Sequence, residues 1–268
     1  MFGFSKEQLS EDERATLIDY KHLIYEAFLL SLTMGVSKDA AAILVDEEFG
    51  ERIHEEARRQ GITRILTVEK SGQDEFEFEY GKLFGEHIEK FSPDFVKALI
   101  YYAPQKVWEK EKLKILSDFC REKGYAFLLE VLVKTDGEQK PAFIHQCIQE
   151  FQAFGIEPDV WKIEGLENEE KIRKIVTQAR AGGRDAVGVI ILGRGEDKEK
   201  VEKWLQVGSK IPGVIGFAVG RTTWKEPLID YHRHTASRQE AVHRIASNYK
   251  YFIDLFKQSK LKANEAKS

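Results

Sequence analysis

The sequence predicts an α/β fold, a (β/α)8 TIM barrel that lacks its first strand in this chain. Short apolar runs recur evenly along the 268 residues. Their centres lie roughly 23 to 33 residues apart, the length of one strand, one helix and two loops. The runs are apolar throughout rather than alternating, as parallel strands covered by helices are. Chemistry-bearing residues sit on several successive strands instead of at one switch point, which favours a barrel over a doubly wound sheet.

The chain opens with a helical stretch from about Ser10 to Met34, with Ser10 as N-cap and Glu13 three residues on. The runs read as strands are Ala41–Val45, Ile65–Val68, Val96–Tyr102, Phe127–Val133, Val160–Ile163, Val187–Leu192 and Val214–Val219. Amphipathic helices are predicted at Glu109–Glu122, Pro141–Phe154, Glu169–Ala181 and Asp197–Val207. Pro141 suits a first helical turn, and Gly182-Gly183 suits a helix stop. Glu69–Tyr80 reads as an acidic, aromatic loop, and Lys257–Ser268 as a frayed basic tail. Residues 1–256 are therefore expected to form one barrel domain, with 1–34 as its N-terminal helix. Seven strands leave that barrel one short, and an open barrel exposes two edges.

Composition narrows the function classes. The chain is 42% hydrophobic and 32% charged, with a net charge of −4. No face looks strongly basic, which argues against nucleic-acid or anionic-membrane partners. The longest apolar runs fall far below the ~18 residues of a spanning helix. Cys120 and Cys147 lie in helix-like segments without metal or redox spacing, as expected of a reduced cytoplasmic protein. Composition leaves a homo-oligomer open.

Three charges interrupt the apolar strands: Lys97 in Phe95–Ile100, Glu130 in Phe127–Val133 and Lys162 in Val160–Ile163. Burying a charge costs several kcal/mol unless a partner or chemistry compensates. A Schiff-base lysine must be neutral to attack a carbonyl, so it needs apolar surroundings or a cationic neighbour. Lys162 has Val160, Trp161 and Ile163 beside it in sequence and Lys97 two strands away. Glu130, on the strand between, is the candidate proton shuttle. Glu164 faces the same side as Lys162 and could orient or neutralise it. A buried ion pair that merely fills the barrel is the alternative, weakened because perturbed groups cluster at sites.

The last two βα loops carry a second pattern. Gly193-Arg194-Gly195 follows one strand and Gly220-Arg221-Thr222-Thr223 the next. Barrels commonly bind phosphate there: glycines admit backbone N–H groups, and an arginine grips the anion in a fork. A phosphorylated substrate is expected. Asp46 and Glu48 could bind substrate hydroxyls or assist proton transfer, or could simply cap a helix. Glu69, Lys70 and Asp74 are open to the same two readings, with Lys70 and Asp74 as a candidate pair. His232 and His234 lack a third metal ligand nearby, so no metal is expected.

These residues resemble the tagatose-bisphosphate-type class I aldolases. The likeness is greatest to the branch found as the C-terminal domain of fused inositol-catabolism kinases, similar to 2-deoxy-5-keto-gluconate 6-phosphate aldolase. It runs from about Lys21 to the end. It rests on Ile43–Gly50, Glu69–Phe76, Phe95–Lys97, Leu129-Glu130, Asp159–Gly165 and Gly216–Trp224. The resemblance implies that Lys162 forms the imine, that Glu130 is the acid/base and that Lys97 lies at the substrate. It also implies that Gly220 and Arg221 hold phosphate, with no cofactor. Members of that family begin with a further strand carrying a site aspartate, and a version of this chain extended upstream is expected to be more soluble and more active. Substrate carboxylate needs a cation, for which Arg194, Lys70 and Lys134 are candidates. The rival readings are an aldolase or transaldolase for another ketose or sulfosugar phosphate, and a non-catalytic sugar-phosphate-binding barrel.

Overall fold

Strand and helix alternate along the computed structural model, which describes residues 9–103, 107–135 and 137–265. The strands are β1 (Ala42–Val45), β2 (Thr63–Thr67), β3 (Phe95–Tyr102), β4 (Ala126–Val133), β5 (Val160–Glu164), β6 (Gly188–Leu192) and β7 (Val214–Ala218). Their order in the sheet is chain order, and the ladders from β2 to β7 are all parallel. This is a TIM-barrel-like α/β fold with seven strands among the described residues. The widest departure from the expected strand ends is at β2, which starts at Thr63 rather than Ile65.

The helices are α1 (Glu11–Thr33), α2 (Glu47–Arg59), α3 (Phe84–Phe91), α4 (Val107–Lys123), α5 (Lys140–Phe154), α6 (Glu169–Ala179), α7 (Lys198–Gly208), α8 (Arg221–His232) and α9 (Arg238–Glu265). Local chemistry sets their ends. Ser10 and Glu13 form the expected capping box on α1. Asp46, Asn168 and Asp197 cap α2, α6 and α7. Gly155 ends α5 in the left-handed region at φ 80°. The segment expected to be a frayed tail from Lys257 is helical as far as Glu265.

The chain divides into two compact units. One comprises the residues up to Arg64 together with Thr223–Tyr251; the other comprises Ile65–Thr222 and the residues from Phe252 on. In the first, Leu23 and Ala27 of α1 pack with Leu228 of α8 and Ala241, Ile245 and Ala246 of α9. No helix among the described residues is long and apolar enough to cross a membrane.

In the second unit, alternate residues of each strand join the helices in one apolar core. Val96, Ala98 and Ile100 of β3, Leu129 and Val131 of β4, and Trp161 and Ile163 of β5 meet Leu116 of α4, Ile148 of α5 and Ile175 of α6. Successive strand residues point to opposite faces. Lys97, Glu130, Lys162 and Glu164 therefore share the face turned away from these helices, yet all four are buried.

Candidate active site

Register brings the charges together. Glu130 on β4 is the direct partner of Lys162 on β5. Leu99 on β3 is the partner of Glu130, so Lys97 lies one same-face position earlier. Lys162 Nζ donates to Glu130 Oε2 at 2.8 Å. Lys97 Nζ lies 3.0 Å from that same oxygen and also donates to Glu69. Glu69 is positioned by an antiparallel bridge to Phe78, which folds the Glu69–Tyr80 segment back on itself. The second carboxylate oxygen of Glu69 is buried without a hydrogen-bond partner among the described residues.

The two lysines are not equivalent. Burial pushes both toward the neutral form. At Lys97 the adjacent carboxylates of Glu69 and Glu130 outweigh burial and hold the ammonium above the ordinary lysine range. At Lys162 burial prevails: Glu130 opposes it, but the positive charge of Lys97 adds to it, and the amine is held below its ordinary value. Burial would raise Glu130, but Lys97 and then Lys162 outweigh it and keep the carboxyl ionised below the usual range. Two cations therefore share one carboxylate, and the lysine with no second carboxylate is the one that loses its proton more readily.

Glu164, two residues beyond Lys162 on the same face, pairs with neither of these lysines. Its Oε1 accepts from Lys140 at the start of α5, and its Oε2 accepts from Arg194 in the β6–α7 loop, each at 2.5 Å. The expectation that Glu164 orients or neutralises Lys162 is corrected accordingly. Lys140 escaped the sequence reading. Its one local signal is a lysine at the first position of a helix, the wrong end for a cation, in a first turn without an acidic residue.

The two glycine-arginine turns do meet. Arg194 adopts a left-handed backbone at φ 51° between Gly193 and Gly195. Its carbonyl accepts from Arg221 Nη2, and the Glu196 carbonyl accepts from Thr222 Oγ1 at 2.9 Å. A Cβ on Gly195 would fall 2.7 Å from Arg221 Nε, so only glycine lets the guanidinium lie against this turn. Gly220 immediately precedes α8, whose first residue is Arg221.

Several other expected site residues have partners of their own. Asp46 belongs to the first unit, where it accepts from the Phe49 N–H at 2.9 Å and pairs with Lys21. Burial would raise it, but the Lys21 ammonium outweighs burial and lowers it. Glu48 pairs with Arg14 at 3.0 Å. Asp74 pairs with Lys134 at 2.6 Å rather than with Lys70, and the Lys70 residue is exposed. The side-chain imidazole of His232 is bonded to the Tyr20 hydroxyl.

A family model described as "Uncharacterized protein conserved in bacteria (DUF2090)" matches residues 5–260. The chain belongs to this family. No curated protein matches it. Among solved structures, this DUF2090 chain is similar to Cgl0159 from Corynebacterium glutamicum, at TM-score 0.56 and 14% identity over 92% of this chain and 80% of that one. It is similar to a fructose-bisphosphate aldolase from Slackia heliotrinireducens at TM-score 0.53 and 13% identity, covering 85% and 76%. A fructose-bisphosphate aldolase from Plasmodium falciparum matches at TM-score 0.50 and 13% identity, covering 75% and 70%. At such identities the likeness is one of fold.

Proposed function

We propose that this DUF2090 protein is a class I aldolase that cleaves a phosphorylated keto sugar acid, 2-deoxy-5-keto-gluconate 6-phosphate. One observation carries the reading: Lys162 shares the carboxylate of Glu130 with Lys97, and of the two lysines only Lys162 is held below its ordinary value, nearer the neutral, nucleophilic form. The fold shared with two fructose-bisphosphate aldolases supports it.

In this mechanism Lys162 adds to the substrate ketone and loses water to give an iminium. Glu130 takes the proton from the hydroxyl beyond the scissile bond, and the C–C electron pair moves into the iminium to form an enamine. The aldehyde half leaves as malonate semialdehyde. Protonation and hydrolysis of the enamine release dihydroxyacetone phosphate and free Lys162. Lys97 stays charged and keeps Glu130 ionised. Glu69, with its open acceptor, takes a substrate hydroxyl. Gly193, Gly220, Arg221 and the backbone at Arg194 form the phosphate cradle, helped by the positive end of α8.

The test is borohydride trapping with dihydroxyacetone phosphate, followed by mass mapping. An adduct on Lys162 is the expected result. An adduct on Lys97, or none, would overturn the assignment.

A further inference from the structure

We infer that Arg194 and Lys140 form a second anion subsite, distinct from the glycine-arginine cradle, that takes a carboxylate. Arg194 had been expected either with Arg221 on phosphate or, like Lys70 and Lys134, as a cation for a substrate carboxylate. Its guanidinium is instead directed at Glu164, while that of Arg221 lies against Gly195.

Glu164 is 3% exposed and is engaged from both sides, one oxygen by an ammonium and the other by a guanidinium. A buried carboxylate of this kind fixes two long cationic side chains in place. Arg194 remains 34% exposed at its side chain, and its bond to Glu164 uses Nη1. A guanidinium has five N–H donors in a planar fork matched to a carboxylate. Lys140 adds its charge from the first residue of α5.

The subsite is placed by β5. Same-face residues i and i+2 of a strand are about 6.6 Å apart along the chain. Lys162 and Glu164 are therefore roughly that far apart along the strand, a separation a chain of three or four carbons spans. With phosphate in the other cradle, the subsite gives a place to the carboxylate of the proposed keto sugar acid phosphate. Only this assignment of substrate class rests on the aldolase reading; the subsite itself does not.

The experiment is titration calorimetry with malonate and with inorganic phosphate on the full chain, alongside borohydride trapping. Arg194→Asn suits the left-handed backbone and leaves Glu164 paired with Lys140. Lys140→Met leaves it paired with Arg194. Both variants are expected to weaken malonate at least tenfold and to change phosphate less than threefold, whereas Arg221→Ala gives the opposite pattern. Failure of malonate to bind the unaltered chain, or equal loss of both ligands in Arg194→Asn, overturns the subsite. Absence of a trapped adduct with malonate binding intact sinks the aldolase reading and leaves the subsite standing.

Discussion

Glu130 and Lys162 are register partners on adjacent parallel strands, with Nζ and Oε2 2.8 Å apart on the buried face away from the helices. Lys97 competes for the same oxygen, and that competition sets the behaviour expected of each group.

Substituting the two lysines should have opposite consequences. Lys162→Met removes an amine that burial already disfavours as a cation, and Glu130 keeps Lys97. Borohydride trapping should be lost, with folding stability unchanged or higher. Lys97→Met leaves Glu69 and Glu130 facing a single ammonium, and should cost about 3–5 kcal/mol as a broken buried pair. Urea unfolding of both variants is the measurement.

Glu130→Gln keeps the shape of the site and removes the proton acceptor. Turnover is expected to fall by about 10²–10⁴-fold, the usual worth of a positioned acid/base. Imine trapping should persist, because Lys162 loses the one neighbour holding its proton on most strongly. Comparing single-turnover cleavage with trapped adduct separates the two steps.

The rate of imine formation should rise with pH through the depressed value of Lys162, and reach its plateau below the ~10.4 of a free lysine. Stability runs on a different group. Glu130 is lowered in the fold, so its contribution is fully present above the ordinary glutamate value of ~4.3 and is lost as pH falls through the folded value. Acid unfolding curves should flatten in this window for Glu130→Gln relative to the unaltered chain.

Gly165 directly follows Glu164, and a Cβ there would lie 2.3 Å from Trp204 Cγ, which belongs to a residue only 4% exposed. Gly165→Ala should overpack this corner and cost about 1–3 kcal/mol. A lower urea midpoint at unchanged slope would verify it.

Much of this site was legible because a charge inside an apolar strand is a local signal. Lys97, Glu130 and Lys162 each break a run whose neighbours are buried, and the strand period alone puts Lys162 and Glu164 on one face. Partners were less legible. That Glu164 would choose Lys140 and Arg194 depends on where the start of α5 and the β6–α7 loop converge, and nothing nearby in sequence encodes that. Asp46 was readable as either a ligand or a cap, since the same carboxylate chemistry serves both. The length of α9 was missed because its last turns are rich in lysine; Phe252 and Phe256 on the same helix are nevertheless core residues. Charge density marked a solvated face, not an end of structure.

The Arg221 side chain fastens the turn after β6 to the first turn of α8, through the Arg194 carbonyl and the bare Cα of Gly195. Opening either segment breaks this bond. Amide hydrogens of Gly195 and Thr222 should exchange with deuterium as a cooperative pair, and any occupant of the cradle should slow both by the same factor.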